Sequence, residues 1–189
     1  MNNKSSIRIK LNQKRDTLTT DQVKQKSQQI CANVLASDIF NNSDCIAVYS
    51  ALNNEVDLSC LLQSNKSFCL PVVQADNAMA FHHCDKNTVM SKNKYGILEP
   101  QNDLIVATKE IDLCLVPLVG FNRQGHRLGM GGGYYDRYFA QNKTKKSPTI
   151  LAGMAYDFQE DDTIQAESWD VGLDIIFTNK EVIYCGEKF

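Results

Sequence analysis

The residues with the clearest chemical potential form a glycine-rich segment, GHRLGMGGGYYDRY, at positions 125–138. Five of the ten glycines in the chain fall within nine positions, from Gly125 to Gly133. Glycine is costly to order and packs little, so such clustering needs a backbone reason. That reason is either a sharp turn or the close approach of a ligand to the main chain.

Basic residues surround the segment: Arg123, His126 and Arg127 lie within or just before it. No Gly-Lys-Ser/Thr follows, so the segment is not a Walker loop, and the third glycine of a GxGxxG motif would fall at Tyr134. The residues alone therefore predict an anion or nucleotide site of unspecified family. A tight turn without a ligand remains the alternative.

The elements on either side of the segment support a ligand site. Residues 111–121, IDLCLVPLVGF, are almost continuously apolar, which is typical of a strand covered on both faces. A helix is predicted over 134–141. The glycines would then follow the carboxyl end of a strand, where open α/β sheets bind ligands, and precede a helix amino terminus, which favours phosphate.

Helices and strands alternate in the rest of the chain. A basic helix is predicted over 4–18, and Thr19 and Gln22 have the capping-box spacing that begins a second helix. The remaining predictions are strands at 45–50, 67–73, 79–84, 149–156 and 173–178, a helix at 56–63, a turn at 75–77 and a solvated loop at 143–147. This order predicts one domain over residues 1–189, with a three-layer α/β/α architecture and a mainly parallel, Rossmann-like sheet.

Composition excludes several classes of protein. A chain of 189 residues with 43% hydrophobic residues can form one domain with a core. A net charge of −2 argues against a nucleic-acid binder that relies on a broad positive field. The amino terminus has no apolar secretory core, and the longest apolar run, 113–121, contains Pro117 and Gly120. We therefore expect a soluble cytoplasmic monomer that binds neither nucleic acid nor membrane.

The cysteines are predicted to be structural. Seven of them are scattered along the chain without a CxxC pair, which favours buried thiols over a disulfide framework or a zinc site. His82, His83 and Cys84 resemble a metal cluster by composition only. Neighbouring residues on a strand point to opposite faces, so we interpret these three as structural as well.

Several ordered motifs together resemble the 5-formyltetrahydrofolate cyclo-ligase family, also called methenyltetrahydrofolate synthetases. The resemblance begins with RLGMGGGYYDRY, preceded by IDLCLVPLVGFNRQGH, and covers nearly the whole chain. The other matching stretches are Lys4 with Arg8, YSALNNEVD (49–57), KYGILEP (94–100), AYDFQ (155–159) and DVGLDIIFT (170–178). The chain departs from the family at Trp169, where many members carry histidine or a small polar residue.

The resemblance implies an activity and its ligands. The partners would be ATP and 5-formyltetrahydrofolate, with or without a polyglutamate tail, and Mg²⁺ would be the cofactor. The formyl oxygen would take the γ-phosphoryl group, and ring closure would yield 5,10-methenyltetrahydrofolate, ADP and phosphate. No covalent enzyme nucleophile is required, which agrees with the lack of a Ser/His/Asp or Cys/His constellation.

The resemblance also implies roles for individual residues. Those for ATP are Lys4, Arg8, Arg127, Leu128, Gly129, Met130, Gly131, Gly132, Gly133, Tyr134 and Tyr135, of which Arg127 and Tyr134 would also be catalytic. Those for the folate substrate are Ser50, Glu55, Tyr135 and Tyr156. Those for Mg²⁺ are Asp136 and Asp170.

Simpler interpretations of the same residues stay open. Lys4 and Arg8, four apart on a helix, could form a solvated basic face, and Lys10, Lys14 and Arg15 are expected on the surface. Asp136 could be a first-turn carboxylate favoured by the helix dipole, Glu55 a loop acid, and the tyrosines core residues. Two other functions compete with the ligase: a noncatalytic nucleotide- or RNA-binding homologue, and a kinase-like phosphotransferase that acts on another acceptor.

Overall fold

In the described part of the chain, three α-helices precede the first strand and one more lies among the later strands, so helices and strands alternate less than the sequence predicts. The computed structural model describes residues 4–140 and 149–185. Their α-helices are α1 (Lys4–Asp16), α2 (Thr20–Leu35), α3 (Asp38–Asn41) and α4 (Tyr134–Tyr138). Their strands are β1 (Cys45–Ala47), β2 (Ser67–Val73), β3 (Met79–Cys84), β4 (Met90–Lys92), β5 (Leu98–Pro100), β6 (Ile105–Val106), β7 (Leu113–Pro117), β8 (Gly120–Phe121), β9 (Arg127–Leu128), β10 (Ile150–Met154), β11 (Ile175–Phe177) and β12 (Val182–Tyr184).

Eight of these strands form the central sheet, in the order β12-β11-β10-β7-β1-β2-β3-β6. The five strands from β11 to β2 in that order are mutually parallel, whereas β12, β3 and β6 pair antiparallel at the edges. The predicted α/β class and mainly parallel sheet are confirmed. None of the described helices is long and apolar enough to span a membrane.

Strand β7 shows why a continuous apolar run was needed at the centre of the sheet. Leu113 and Leu115 pack into one buried cluster with residues of α2 and α3, such as Val34. Cys114 and Val116 point to the other face and pack into a second cluster, which includes Phe139 at the end of α4. Both faces of the sheet are therefore covered, and α1 packs against β8.

The predicted boundaries differ in how well they agree with the structure. The capping box of Thr19 and Gln22 is present at the start of α2, and the strands at 67–73 and 79–84 have the predicted bounds. The turn between them contains Asp76 and Asn77, both with a φ of 56°. The run 111–121 is divided into β7 and β8. Helix α4 ends at Tyr138, and the loop at 143–147 lies outside the described residues.

The helix predicted at 56–63 is wrong, because only a short 3₁₀ turn forms at Leu61–Gln63. The Asp57 carboxylate accepts hydrogen bonds from the Ser59 N–H at 2.9 Å and from the Ser59 hydroxyl at 3.1 Å. Such local side-chain bonding competes with helix formation. The apolar residues Val56, Leu58 and Leu61 are nevertheless buried.

The prediction that the cysteines are unpaired is wrong for one pair. Cys31 in α2 and Cys60 form a disulfide, with their Cα atoms 6.7 Å apart. The two are 29 residues apart, so no local spacing in the sequence marks them. Cys69, Cys114 and Cys185 are buried free thiols, as expected.

Candidate active site

A cavity of about 1290 Å³ opens at the carboxyl ends of the parallel strands. Its walls include Ser50 just after β1, Val73 at the end of β2 and Pro117 at the end of β7. This is the edge at which open α/β sheets bind ligands. Every site residue implied by the family resemblance lines the cavity except Tyr156.

Tyr156 lies behind the cavity wall. Its ring is fully buried and stacks on Phe158, with centroids 5.6 Å apart. Its hydroxyl donates to the Asn54 carbonyl at 3.1 Å. The structure therefore places Tyr156 in the core, where it supports the loop that carries Glu55, and does not place it on the surface of the cavity.

The glycine segment presents bare backbone to the cavity. A Cβ atom built on Gly129 would have no heavy atom within 4 Å, and one built on Gly131 would meet only the Arg8 guanidinium carbon, at 4.0 Å. Gly131 and Gly133 have φ values of 104° and 64°, which other residues rarely adopt. The geometry thus fits both reasons for the clustering, since the glycines allow a sharp turn and leave space beside the main chain at Gly129 and Gly131.

Helix α4 contributes less than the sequence predicted. It is five residues long and starts from Gly133, which offers no side-chain cap. A dipole of so few peptide units is small, so any anion here would be held mainly by loop N–H groups and cations.

Helix α1 carries two cationic side chains that border the cavity, those of Lys4 and Arg8. Lys4 Nζ lies 2.9 Å from Asp170 Oδ2 and 3.6 Å from Glu167 Oε1. Arg8 Nε donates to the Gly129 carbonyl at 2.8 Å. The four-residue spacing does place both side chains on one helix face, and that face borders the cavity.

The buried Arg127 side chain connects the two ends of the glycine segment through hydrogen bonds. Arg127 Nη2 donates to Asp136 Oδ1 at 2.6 Å, and Arg127 Nη1 donates to the Val171 carbonyl. The Val171 N–H in turn donates to the same Asp136 oxygen at 3.0 Å. The three residues form a closed network that joins both ends of the glycine segment to the loop before β11.

The two carboxylates expected to bind metal are each engaged through one oxygen. The described hydrogen bonds of Asp136 fall on Oδ1, and those of Asp170 fall on Oδ2, from Lys4 and from the Glu167 N–H. Burial opposes ionisation of Asp170, but the Glu167 N–H and Lys4 outweigh it and hold the Asp170 pKa below its ordinary value. The second oxygen of each carboxylate has no described hydrogen bond.

Glu55 lines the same cavity, in a loop that turns through Asn53 and Asn54, both with positive φ. Its Oε2 accepts the Leu52 N–H at 3.0 Å, and its Oε1 lies 3.9 Å from Arg15 Nη1. Burial raises the pKa of Glu55, and the Leu52 N–H and Arg15 counteract only part of that rise.

The prediction that Arg15 is a surface charge is wrong. Arg15 is 3% exposed and lines the cavity. The signal was present in the helical spacing, because Lys4, Arg8 and Arg15 recur at intervals of four and seven and so share a face. Arg15 also continues the buried series of Ile7 and Leu11.

The sequence did not predict one wall of the cavity. The β4–β5 hairpin brings Asn93, Tyr95 and Glu99 to the cavity. The Tyr95 hydroxyl lies 3.2 Å from the hydroxyl of Tyr134, so the hairpin tip meets the start of α4. Ser50 Oγ donates to the Leu98 carbonyl at 2.8 Å on the same side. The matched stretch 94–100 marked this hairpin as a turn, but its residue types carried no sign that it would cover a site.

Comparisons with known proteins agree with these motifs. A model described as the 5-formyltetrahydrofolate cyclo-ligase family matches residues 1–179. The chain is 34% identical over 178 residues to the 5-formyltetrahydrofolate cyclo-ligase of Haemophilus influenzae, covering 90% of this chain and 94% of that protein. It is 34% identical over 185 residues to the enzyme of the same name from Mycoplasma pneumoniae, covering 94% and 99%.

Solved structures give the same result. The NMR structure of Aquifex aeolicus 5,10-methenyltetrahydrofolate synthetase superposes with a TM-score of 0.85 at 29% identity, covering 98% of this chain and 94% of that one. The structure of a 5,10-methenyltetrahydrofolate synthetase from Mycoplasma pneumoniae gives 0.74 at 29% identity, covering 94% and 99%.

Proposed function

The chain belongs to the 5-formyltetrahydrofolate cyclo-ligase family, and from that membership we propose that it uses ATP to convert 5-formyltetrahydrofolate to 5,10-methenyltetrahydrofolate, with release of ADP and phosphate. The observation that carries the proposal is one cavity of about 1290 Å³ that is lined both by the glycine wall, which is the glycine segment with Lys4 and Arg8, and by Glu55. Pockets for one small molecule are typically about 300–1,000 Å³. The cavity exceeds this range, which supports a site for two ligands that react with each other.

The reaction needs a phosphoryl donor for a simple chemical reason. An amide-like formyl oxygen is a weak nucleophile, and hydroxide is a poor leaving group. We propose that the formyl oxygen attacks the γ-phosphorus and ADP leaves. The neighbouring anilino nitrogen then attacks the formyl carbon and loses its proton, and phosphate departs with the electrons of the C–O bond. The protein's task is to align the two ligands and exclude water.

The polyphosphate is proposed to lie along the glycine wall. Lys4 and Arg8 supply positive charge there, and the open backbone around Gly129 and Gly131 lets phosphate oxygens approach the N–H groups. The Tyr134 hydroxyl borders the same space and is proposed to donate to the transferred phosphoryl group. Arg127 is already bound to Asp136 and Val171, so we propose that it acts by holding Asp136 in place.

Asp136 and Asp170 fit the proposed Mg²⁺ site. Each keeps one carboxylate oxygen without a described hydrogen bond, and both line the cavity beside Lys4 and the glycine wall. Magnesium prefers one or two carboxylates together with phosphate oxygens. When bound, it would neutralise charge on the phosphates. The chain's own contribution is to fix both carboxylates, through Arg127 for Asp136 and through Lys4 for Asp170.

The folate is proposed to bind beside Glu55. A carboxylate can accept N–H groups from the edge of a pterin ring, and Ser50 and Tyr135 line the same region. Tyr156 is proposed to act only indirectly, through its hydrogen bond to Asn54.

The direct test mixes the protein with ATP, Mg²⁺ and 5-formyltetrahydrofolate and follows the absorbance of the methenyl product. We expect absorbance to grow only when all components are present, with one ADP formed for each methenyl group. ADP formation with other acceptors but no methenyl product would instead indicate a kinase-like phosphotransferase. Nucleotide binding without turnover would indicate a noncatalytic homologue.

A further inference from the structure

Arg15 has buried donors without acceptors. Its side chain is 3% exposed, and its Nε and Nη1 atoms are buried with no hydrogen-bond partner among the described residues. An unpaired charged donor in a protein interior is expensive. Such a group persists where something outside the folded chain completes it.

A structural ion pair with Glu55 does not account for Arg15. Paired guanidinium and carboxylate groups normally approach to about 2.7–2.9 Å. Here Nη1 and Glu55 Oε1 are 3.9 Å apart, which is too long for a hydrogen bond. The two groups share one corner of the cavity, and each keeps hydrogen-bonding capacity for a third partner.

Among the described residues, the phenols of Tyr49, Tyr135 and Tyr156 lie close enough to Glu55 to interact with it electrostatically. The Tyr49 hydroxyl donates to the Val56 carbonyl and the Tyr156 hydroxyl to the Asn54 carbonyl, so both are committed within the fold. The Tyr135 hydroxyl is buried without a partner among the described residues. Arg15 is the charged group that acts on Glu55. The corner therefore offers an accepting carboxylate oxygen beside unpaired guanidinium donors.

We propose that Arg15 and Glu55 together recognise a ring edge on which a carbonyl oxygen adjoins N–H groups, with Arg15 donating to the oxygen and Glu55 accepting from the N–H groups. This inference rests on the proposed function, because the pterin of 5-formyltetrahydrofolate has such an edge, with its C4 carbonyl next to N3–H and the 2-amino group. Arg15 then determines specificity, because it favours the 4-oxo ring over a 4-amino ring. The amino group would place its N–H donors opposite the N–H donors of Arg15.

The test compares two ligands in calorimetric titrations, 5-formyltetrahydrofolate and its analogue with an amino group in place of the C4 oxygen. We expect the parent protein to bind the 4-oxo compound at least tenfold more tightly. Arg15→Met keeps the length of the side chain and removes its donors and charge. It should reduce that preference at least fivefold, while the affinity for ATP changes less than twofold. Lys14→Met is the matched control, because Lys14 is exposed on the same helix, and it should leave the preference unchanged.

Each outcome separates this inference from the function on which it rests. If the parent protein neither binds nor converts 5-formyltetrahydrofolate, the proposed function fails first. If the parent protein binds it but folded Arg15→Met retains the parent preference, or loses ATP affinity instead, only the role of Arg15 is overturned. Should Arg15→Met not fold, the same change is made together with Glu55→Gln, which leaves no carboxylate unpaired in this corner. The preference should then fall at least fivefold relative to Glu55→Gln alone, and an unchanged preference would overturn the inference.

Discussion

Arg127 Nη2 and Asp136 Oδ1 lie 2.6 Å apart, across the base of the glycine segment. The nine-residue separation of the pair means that this one ion pair fixes both ends of the loop that borders the cavity. The Arg127 side chain is only 5% exposed, so its charge depends on Asp136 for compensation. The pair therefore joins the stability of the fold to the placement of a carboxylate at the proposed metal site.

Asp136→Asn keeps the size of the side chain and removes its charge. We expect kcat to fall about tenfold or more, which corresponds to roughly 1.4 kcal/mol of barrier, and the Mg²⁺ concentration for half-maximal rate to rise. The melting temperature should also fall, because Arg127 loses its anion. Rates measured across a magnesium titration check this. Asp157→Asn is the control, since Asp157 pairs with Lys26 and Lys180 and is not part of the cavity wall. Parent-like magnesium dependence in Asp136→Asn would leave Asp136 a purely structural role.

Gly129→Ala tests the open backbone without disturbing the fold. The added methyl group would meet no protein atom within 4 Å, so stability should hardly change. It would occupy the space proposed for phosphate, and we expect the affinity for ATP to fall about tenfold, or roughly 1.4 kcal/mol. Gly132→Val is a poorer test, because a Cβ there would lie 2.8 Å from the Tyr134 ring. Gly172→Ala, with its nearest contact at 3.8 Å, is the matched control. An unchanged ATP affinity in Gly129→Ala would remove Gly129 from the proposed phosphate path.

The ion pair of Lys4 and Asp170 gives stability a defined pH dependence. Although burial opposes its ionisation, the Asp170 pKa lies below its ordinary value because of the Glu167 N–H and Lys4. A depressed carboxyl pKa stabilises the fold at neutral pH, and that stabilisation is lost as pH falls through the folded-state pKa. Lys4→Met should therefore lower the melting temperature at pH 7, and the difference from the parent protein should narrow on acidification below about pH 4. A difference that stays constant down to about pH 2 would mean that Lys4 acts through packing alone.

Local patterns in the sequence predicted much of the fold. The apolar run of β7, the capping box of α2 and the hairpin around Asp76 depend on neighbouring residues, so the order of the residues is enough to predict them. The prediction of a helix at 56–63 was wrong for an equally local reason. Ser59 donates hydrogen bonds to Asp57, and hydrophobic periodicity carries no information about such bonds.

Contacts between segments that are far apart in the sequence limited how much of the site could be predicted. Motifs placed Lys4, Glu55 and the glycine segment on one cavity, although they are far apart in sequence. The disulfide of Cys31 and Cys60, and the burial of Arg15 against the loop of Glu55, arise only when distant segments meet. Composition treats a buried arginine and a surface arginine alike. The helical spacing places Arg15 on the same face as Lys4 and Arg8, and the packing of the chain against that face buries it.

Trp169 offers an intrinsic probe of the proposed nucleotide site. It is the only tryptophan in the chain, it is 67% exposed, and it lines the cavity next to Asp170. Saturating ATP should change its fluorescence intensity or shift its emission to shorter wavelength, because a bound nucleotide would cover an indole that now faces solvent. Excitation at a wavelength where ATP does not absorb avoids an optical artefact. Trp169→Phe should abolish the signal and keep ATP binding measurable by calorimetry. A parent spectrum unaffected by saturating ATP would place Trp169 outside the region that the nucleotide covers.

Glu55→Gln separates recognition of folate from recognition of ATP. A carboxylate that accepts N–H groups from a buried ring edge is worth roughly 2–4 kcal/mol, by analogy with the loss of one partner from a buried charged pair. Glutamine has the same shape but presents an N–H donor where the ligand also donates. We therefore expect the affinity for 5-formyltetrahydrofolate to fall by roughly a factor of 30 or more, at about 1.4 kcal/mol for each tenfold change. The affinity for ATP should stay within twofold, because its proposed contacts lie on Lys4, Arg8 and the glycine segment. Separate calorimetric titrations measure both.

The pH dependence of kcat/KM provides an independent check on the role of Glu55. Burial raises the pKa of Glu55, and the Leu52 N–H and Arg15 only partly offset this. The ionised form is the one proposed to bind the substrate, so kcat/KM for 5-formyltetrahydrofolate should decline on acidification at a higher pH than an ordinary glutamate would give. Glu55→Gln should have low kcat/KM and lack that acid limb. Equal losses of affinity for both ligands would mean that Glu55→Gln disturbs the fold as a whole. If Glu55→Gln keeps the parent's affinity for 5-formyltetrahydrofolate and its acid limb, Glu55 is excluded from the binding site. A residue that binds the ring edge through its charge cannot lose that charge without a loss of substrate affinity.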